Sequence, residues 1–336
     1  MSNFNLKYEK VICAVLLTCL VGATAWAKID SFLQKDKDLF ENPDAFLKLQ
    51  KGHPNCLYPA SLKYLRKQGL VKSANVHCPA LEHWKAYHPQ DKLAVVFASQ
   101  YISNPSSAMG HTFLKFIRND SEDLMNTTIG FLAAIDPKKV NPFSYIYKGL
   151  FGEFDGVFDE GYYFTKIREY SHMEARDVWE YELNFTNEEI DLLLDLIWEL
   201  RLNFKIPYHY THQNCGSFLL DMLLWVKQKS LTFYSYRTPM DTLIVLNNEN
   251  LILKEVYRPS LRANMLNSYL DLSPSEKTQV LDSVEKSVLT GPSSVGVDQT
   301  ILEYLQLEKY KLETYSGDPP KSFKEFENQV LLDRAK

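Results

Sequence analysis

The 336-residue sequence predicts an α+β fold. Three observations carry this. A proline-punctuated helical stretch fills residues 28–90. Continuous apolar runs at 93–99 and 111–117 read as buried strands. Capped helical patterns begin at Thr186 and Asn214. The chain then divides into an export signal (1–27), a helical preamble (28–90), a mixed domain (91–265) and a C-terminal helical extension with a tail (266–336).

Each element has a local reason. Lys7 and Lys10 precede an apolar run from Val11 to Trp26, and Ala25-Trp26-Ala27 supplies a small-x-small cleavage pattern. Left uncleaved, the same run approaches the length of a membrane anchor. Thr18-Cys19 offers lipid attachment as a further alternative. In the preamble, Asn42-Pro43-Asp44 opens one helix and Tyr58-Pro59-Ala60 another, with Pro54, Pro79 and Pro89 as breaks. The run from Leu93 to Ser99 reads as a central strand. A small-residue loop follows, and the run from His111 to Ile117 is apolar on both faces. Thr127 to Ala134 is a third strand. Asp177 to Leu183 alternates, with Trp179, Tyr181 and Leu183 on one face, as a half-exposed strand does. The stretch between these last two, 136–176, is rich in Tyr, Phe and Gly. It reads as a functional loop, an apolar lid or a pair of core hairpins.

The helical signals are sharper. Thr186-Asn187-Glu188-Glu189 is a capping box, followed by Ile190, Leu193, Leu194 and Ile197 on one face. From Cys215, residues Phe218, Leu219, Met222, Leu223 and Val226 recur at helical spacing, predicting a helix buried on the sheet. Ser273-Pro274-Ser275-Glu276 caps the first of two helices separated by Gly291-Pro292. The last twenty residues, with Pro319-Pro320, read as a loosely attached tail.

Composition narrows function. A formal charge of −5 leaves no basic excess to neutralise phosphates, which argues against a nucleic-acid partner. Of five cysteines, Cys13 and Cys19 lie in the signal. Cys56 and Cys78 are close in sequence and would pair in an oxidising compartment. Cys215 is left over, as an inert core thiol or a reactive one.

Cys215 follows Asn214 at a predicted helix start, where the helix dipole favours thiolate. Lowering a thiol pKa from about 8.5 to about 6.5 takes roughly 2.7 kcal/mol. A helix end supplies at most about 2 kcal/mol. A histidine partner is therefore expected, and His111 at the head of a strand is favoured over His172, His209 and His212. Cys215 and His111 are the candidate catalytic pair. The backbone N–H groups of Cys215 and Gly216 are candidate oxyanion donors, and Asn214 holds the turn. Asn126, Thr127 and Thr128 are candidate orienting residues, if their strand pairs beside His111. His209, His212 and Cys215 have zinc-like types, but no HExxH or CxxC accompanies them, so no metal or other cofactor is expected.

Several segments resemble the exported bacterial family typified by the Lnb lipoprotein N-acyltransferases. They are Ser106-Ser107-Ala108-Met109-Gly110-His111-Thr112-Phe113-Leu114, Asn214-Cys215 with its apolar helix, the block from Glu169 to Tyr181, Tyr257-Arg258-Pro259-Ser260, and Cys56-x-x-Pro59-Ala60 with Cys78. The likeness covers roughly 45–265. It implies a circularly permuted papain-like core, similar to the NlpC/P60 and lecithin:retinol acyltransferase groups, with an antiparallel sheet packed on helices. It also implies a periplasmic enzyme working at the membrane surface. Cys215 would take an acyl chain from a phospholipid as a thioester, and His111 would assist its transfer to the N-terminal amine of a diacylated lipoprotein. A cysteine peptidase or amidase acting on cell-wall peptide, or a non-catalytic envelope-binding protein, are the alternatives.

Overall fold

The computed structural model describes residues 53–72, 76–101, 108–135, 147–149, 154–211, 213–229, 237–315 and 317–335. The signal segment, the Asn42-Pro43-Asp44 helix start, Ser106, Ser107 and His212 lie outside them.

Among the described residues three short helices, α1 (Pro54–Leu57), α2 (Pro59–Lys67) and α3 (Pro79–Ala86), precede β1 (Lys92–Ala98), β2 (His111–Ile117) and β3 (Thr127–Ala133). Then come β4 (Phe154–Tyr162), α4 (Tyr163–Ile167), a π-helical turn at Arg168–Met173 and β5 (Val178–Leu183). The aromatic stretch is thus partly strand and helix rather than a long loop. Next are α5 (Asn187–Asn203), β6 (Ile206–Tyr208), α6 (Cys215–Val226), α7 (Pro239–Asn248) and β7 (Ile252–Arg258). Four helices end the chain: α8 (Leu261–Leu270), α9 (Pro274–Lys286), α10 (Val295–Tyr315) and α11 (Lys321–Arg334). The fold class is α+β. Seven strands form one sheet in the order β6-β4-β3-β2-β1-β5-β7, with β2/β3 and β4/β6 antiparallel.

The chain forms two compact units. One comprises Met1–Val95, His111–Gly161 and Glu182–Lys254; the other comprises Val96–Gly110, Tyr162–Tyr181 and Glu255–Lys336.

In the first unit every residue of α6 is buried. Phe218 on that helix stacks on Phe131 of β3 with centroids 4.3 Å apart, and Phe158 and Tyr208 close around the same ring at 5.7 and 5.6 Å. Gly156 leaves the room: a Cβ there would lie 2.1 Å from the Phe131 ring. The preamble is fastened to α5 by polar groups. Asp191, Asp195 and Glu199 stand four residues apart and so share one face of α5. Lys63 and Lys85 both bridge Asp191 and Asp195. Glu199 accepts the Ser61 N–H at 2.9 Å and the Ser61 hydroxyl, capping α2, whose own N-cap Tyr58 makes no side-chain cap. Trp198 donates to the Cys56 carbonyl at 2.8 Å, and Cys56 is joined to Cys78 as expected. Closing that loop is worth on the order of 3 kcal/mol in the chain-entropy account.

The second unit corrects two expectations. The final residues are no loose tail: α11 buries Phe326 and Val330 in a core with Val280, Val297, Ile301 and Leu305. In β5, Val178 and Glu180 are buried, while Trp179 and Tyr181 are only half-buried. Glu180 tolerates burial because Arg258 pairs with it and the Tyr163 hydroxyl donates to it at 2.9 Å.

Burial raises the Glu199 carboxyl from its ordinary range to about 7, against hydrogen bonds from Ser61 that pull it down. The folded state therefore binds the proton more tightly than the unfolded chain. Stability contributed by this group is present below about pH 4.5 and falls as pH rises through about 7, by on the order of 3 kcal/mol. Glu199→Gln should flatten this pH dependence. Thermal melts of the two proteins at pH 5 and pH 8 check it, and parallel Tm changes would refute it.

Candidate active site

The start of α6 is organised by one side chain. The Asn214 carboxamide oxygen accepts the Gly216 and Ser217 N–H groups, both at 3.0 Å. Its nitrogen donates to the Tyr210 carbonyl at 3.0 Å and the Arg237 carbonyl at 2.6 Å. The Asn214 N–H in turn reaches the Ser217 hydroxyl at 3.0 Å, completing a capping box. The amide so ties the helix to the chain before it and to the chain leading into α7. Gly216 permits the α7 contact: a Cβ there would lie 2.7 Å from both the Pro239 Cα and the Thr242 hydroxyl. On α6, Asp221 pairs with Arg237, fastening the same junction again.

Among the described residues Cys215 is the free cysteine, and it is 1% exposed. Its sulfur meets the Thr112 N–H and the Tyr208 hydroxyl. Burial pushes the thiol above its ordinary range, outweighing these hydrogen bonds and that of the Gly216 N–H. The sequence-based expectation of a thiolate-prone group is thus reversed in this arrangement. The oxyanion donors also change. The Gly216 N–H is engaged by Asn214, and the Cys215 N–H points to the Tyr208 hydroxyl at 3.3 Å.

His111 opens β2 and is buried. It comes to the same end of the strand as Cys215, because its neighbour Thr112 touches the sulfur. The two side chains take opposite faces of the sheet. Phe113 pairs with Gly130, so His111, Phe113 and Gly130 share one face. Consistent with this, a Cβ on Gly130 would lie 3.9 Å from His111 Nε2. Thr112 takes the other face, its hydroxyl 3.2 Å from where a Gly216 Cβ would stand, and Phe131 lies there against Phe218. The period of a strand, applied to consecutive residues, puts His111 and Thr112 on opposite faces.

The orienting candidates lie elsewhere. Asn126 precedes β3 at the far end of the β2–β3 hairpin from His111. Its carboxamide accepts from the Arg118 N–H at 2.9 Å and the Ser121 hydroxyl at 3.1 Å, and donates to the Asp123 carbonyl at 3.0 Å. It shapes the turn and does not reach His111. Thr127 contacts His88 at 2.9 Å, and Thr128 donates to the Gly161 carbonyl at 3.1 Å. His209 is bridged through its backbone to Gln213. His172 is half-buried against Tyr310. Sequence reasoning missed Thr112 and Tyr208, whose N–H and hydroxyl meet the thiol. Strand parity would have pointed to Thr112, since it alternates with His111. Tyr208, seven residues before Cys215, carries no comparable local signal.

Among the described residues no helix is long and apolar enough to cross a membrane. Residues 80–249, half of the chain, match the family model described as the Lnb N-terminal periplasmic domain. The match spans His111, Tyr208 and Cys215. No curated protein and no solved structure matches the chain.

Asn214→Asp tests the cap. The carboxylate keeps both N–H acceptors but cannot donate to the Tyr210 and Arg237 carbonyls, which it would instead repel. A loss on the order of 3 kcal/mol is expected, from two buried acceptors left unpaired. Chemical denaturation measures it, and an unchanged midpoint would show that the two carbonyl bonds do not hold the site.

Proposed function

The chain belongs to the Lnb N-terminal periplasmic domain family, and on that premise we propose that it is an exported thiol acyltransferase. It moves an acyl chain from a phospholipid, through a thioester on Cys215, to an amine acceptor: the N-terminal cysteine of a diacylated lipoprotein at the membrane surface. The observation that carries the reading is the setting of Cys215. It is a free thiol in a chain whose other two described cysteines are paired, fixed at the start of a buried helix with hydroxyl and N–H donors at its sulfur. Ester attack needs such donors where the carbonyl oxygen gains charge. The order of a histidine-bearing strand before the cysteine-bearing helix supports a circularly permuted papain-like core. In this reading His111 serves as the base after leaving the Gly130 face, and the arrangement described above is the resting one.

A second reading is a non-catalytic envelope-binding domain. It is favoured by the burial of Cys215 and by the placement of His111 on the opposite face of the sheet.

One experiment separates these. The protein is incubated with vesicles of acyl-labelled phospholipid and a diacylated lipopeptide. Intact mass spectrometry should show one acyl group on Cys215, labile to hydroxylamine, and later on the lipopeptide amine. Cys215→Ser should abolish both. Cleavage of muropeptides without acyl transfer would favour peptidase chemistry, and a Cys215→Ala protein that retains the cellular phenotype would favour binding.

A further inference from the structure

We propose that Tyr208 is a catalytic residue, its hydroxyl donating to the oxyanion that forms when Cys215 attacks an acyl ester. This deepens the acyl-transfer reading above and rests on it. Tyr208 closes β6 and is 4% exposed. Its hydroxyl accepts the Cys215 N–H at 3.3 Å and also contacts the sulfur. One hydroxyl thus touches both the nucleophile and the first backbone donor of α6. The Ser217 N–H serves Asn214, and the Gly216 N–H is shared between Asn214 and the sulfur. The donors beside the sulfur that are not held by Asn214 are the Tyr208 hydroxyl, the Cys215 N–H and the Thr112 N–H.

The tyrosine is built to stay in place and to stay protonated. Phe131 lies 5.6 Å from its ring, and Tyr210 meets it edge-on at 6.1 Å. Burial holds its hydroxyl pKa well above the ordinary tyrosine value, so at neutral pH it is a donor and not a base. The bond between the Cys215 N–H and the Tyr208 oxygen is long for its type, so a carbonyl oxygen can displace it at little cost.

The step balances without a co-reactant. The sulfur forms a bond to the ester carbonyl carbon as the C=O π pair moves onto oxygen. That oxyanion takes hydrogen bonds from the Tyr208 hydroxyl and the Cys215 N–H. Its collapse restores the carbonyl and breaks the ester C–O bond. The thiol proton ends on the departing lysophospholipid oxygen. Thiol and ester become thioester and alcohol.

Tyr208→Phe keeps the ring and removes only the hydroxyl. Two quantities are read in the full-length protein: the rate of Cys215 thioester formation from acyl-labelled phospholipid vesicles, and the pH dependence of Cys215 alkylation by iodoacetamide. Thioester formation should fall about 10²- to 10³-fold, the usual loss for one oxyanion donor. The alkylation midpoint should move to higher pH, because a hydrogen bond favouring the thiolate is gone. A tyrosine that only holds the resting thiol would move that midpoint but leave the acylation rate unchanged when compared at equal thiolate fraction. If the phenylalanine variant does not fold, 3-fluorotyrosine at position 208 keeps the hydroxyl while making it more acidic, and should change the acylation rate several-fold. Acylation at the wild-type rate in the variant overturns the role of Tyr208 alone. Wild-type protein that forms no thioester overturns the acyl-transfer reading itself, and the role of Tyr208 with it.

Discussion

The candidate site hangs on the Asn214 carboxamide. A primary amide can place two donors and two acceptor lone pairs, and here the oxygen takes two helix N–H groups while the nitrogen serves two carbonyls. The two halves have different jobs. The oxygen satisfies backbone groups that any helix start must satisfy. The nitrogen joins segments that are distant in sequence, drawing Tyr210 and Arg237 to the same point. Asp, Ser or Thr could perform the first task, but none can perform both. The position of the cysteine, of its tyrosine neighbour and of the α7 entry all follow from this one group.

Cys215 shows how magnitudes decide an argument. A helix end and several hydrogen bonds favour the thiolate, yet the sulfur is so enclosed that burial prevails and the thiol is raised. Composition and spacing supply the favourable contributions, because a helix cap can be read from Asn-Cys-Gly-Ser. They do not supply burial at a single atom, which depends on Thr112 and Tyr208 arriving from two strands distant in sequence. The proposed chemistry therefore starts from a neutral thiol.

Other elements divide along the same line. β1, β2 and β3 were legible because each is a short apolar run, and α5, α6 and α9 because each opens with a side-chain cap. β4 was not, since Gly156, Gly161 and its acidic residues hide the alternation, and β6 is too short to show a period. The α11 helix was missed because Pro319-Pro320 reads as an ending, although Pro320 in fact stands at its N-cap. That His111 opens β2 and Cys215 opens α6 was legible in the sequence. Which face each takes was not, because that follows from the register of Phe113 opposite Gly130. The acidic stripe of α5 at Asp191, Asp195 and Glu199 was not read from the sequence, and its lysine partners belong to helices more than a hundred residues earlier.

The enclosure of Cys215 has a second effect, on redox chemistry. This chain oxidises Cys56 to Cys78, so it matures where thiols are converted to disulfides. A third, exposed cysteine there would compete for the same partners during folding and would later be open to sulfenic and irreversible oxidation. At 1% exposure and with its proton retained, the Cys215 sulfur is a poor target for disulfide exchange and for peroxide alike. The same packing that slows ionisation favours keeping in reduced form the one unpaired cysteine among the described residues.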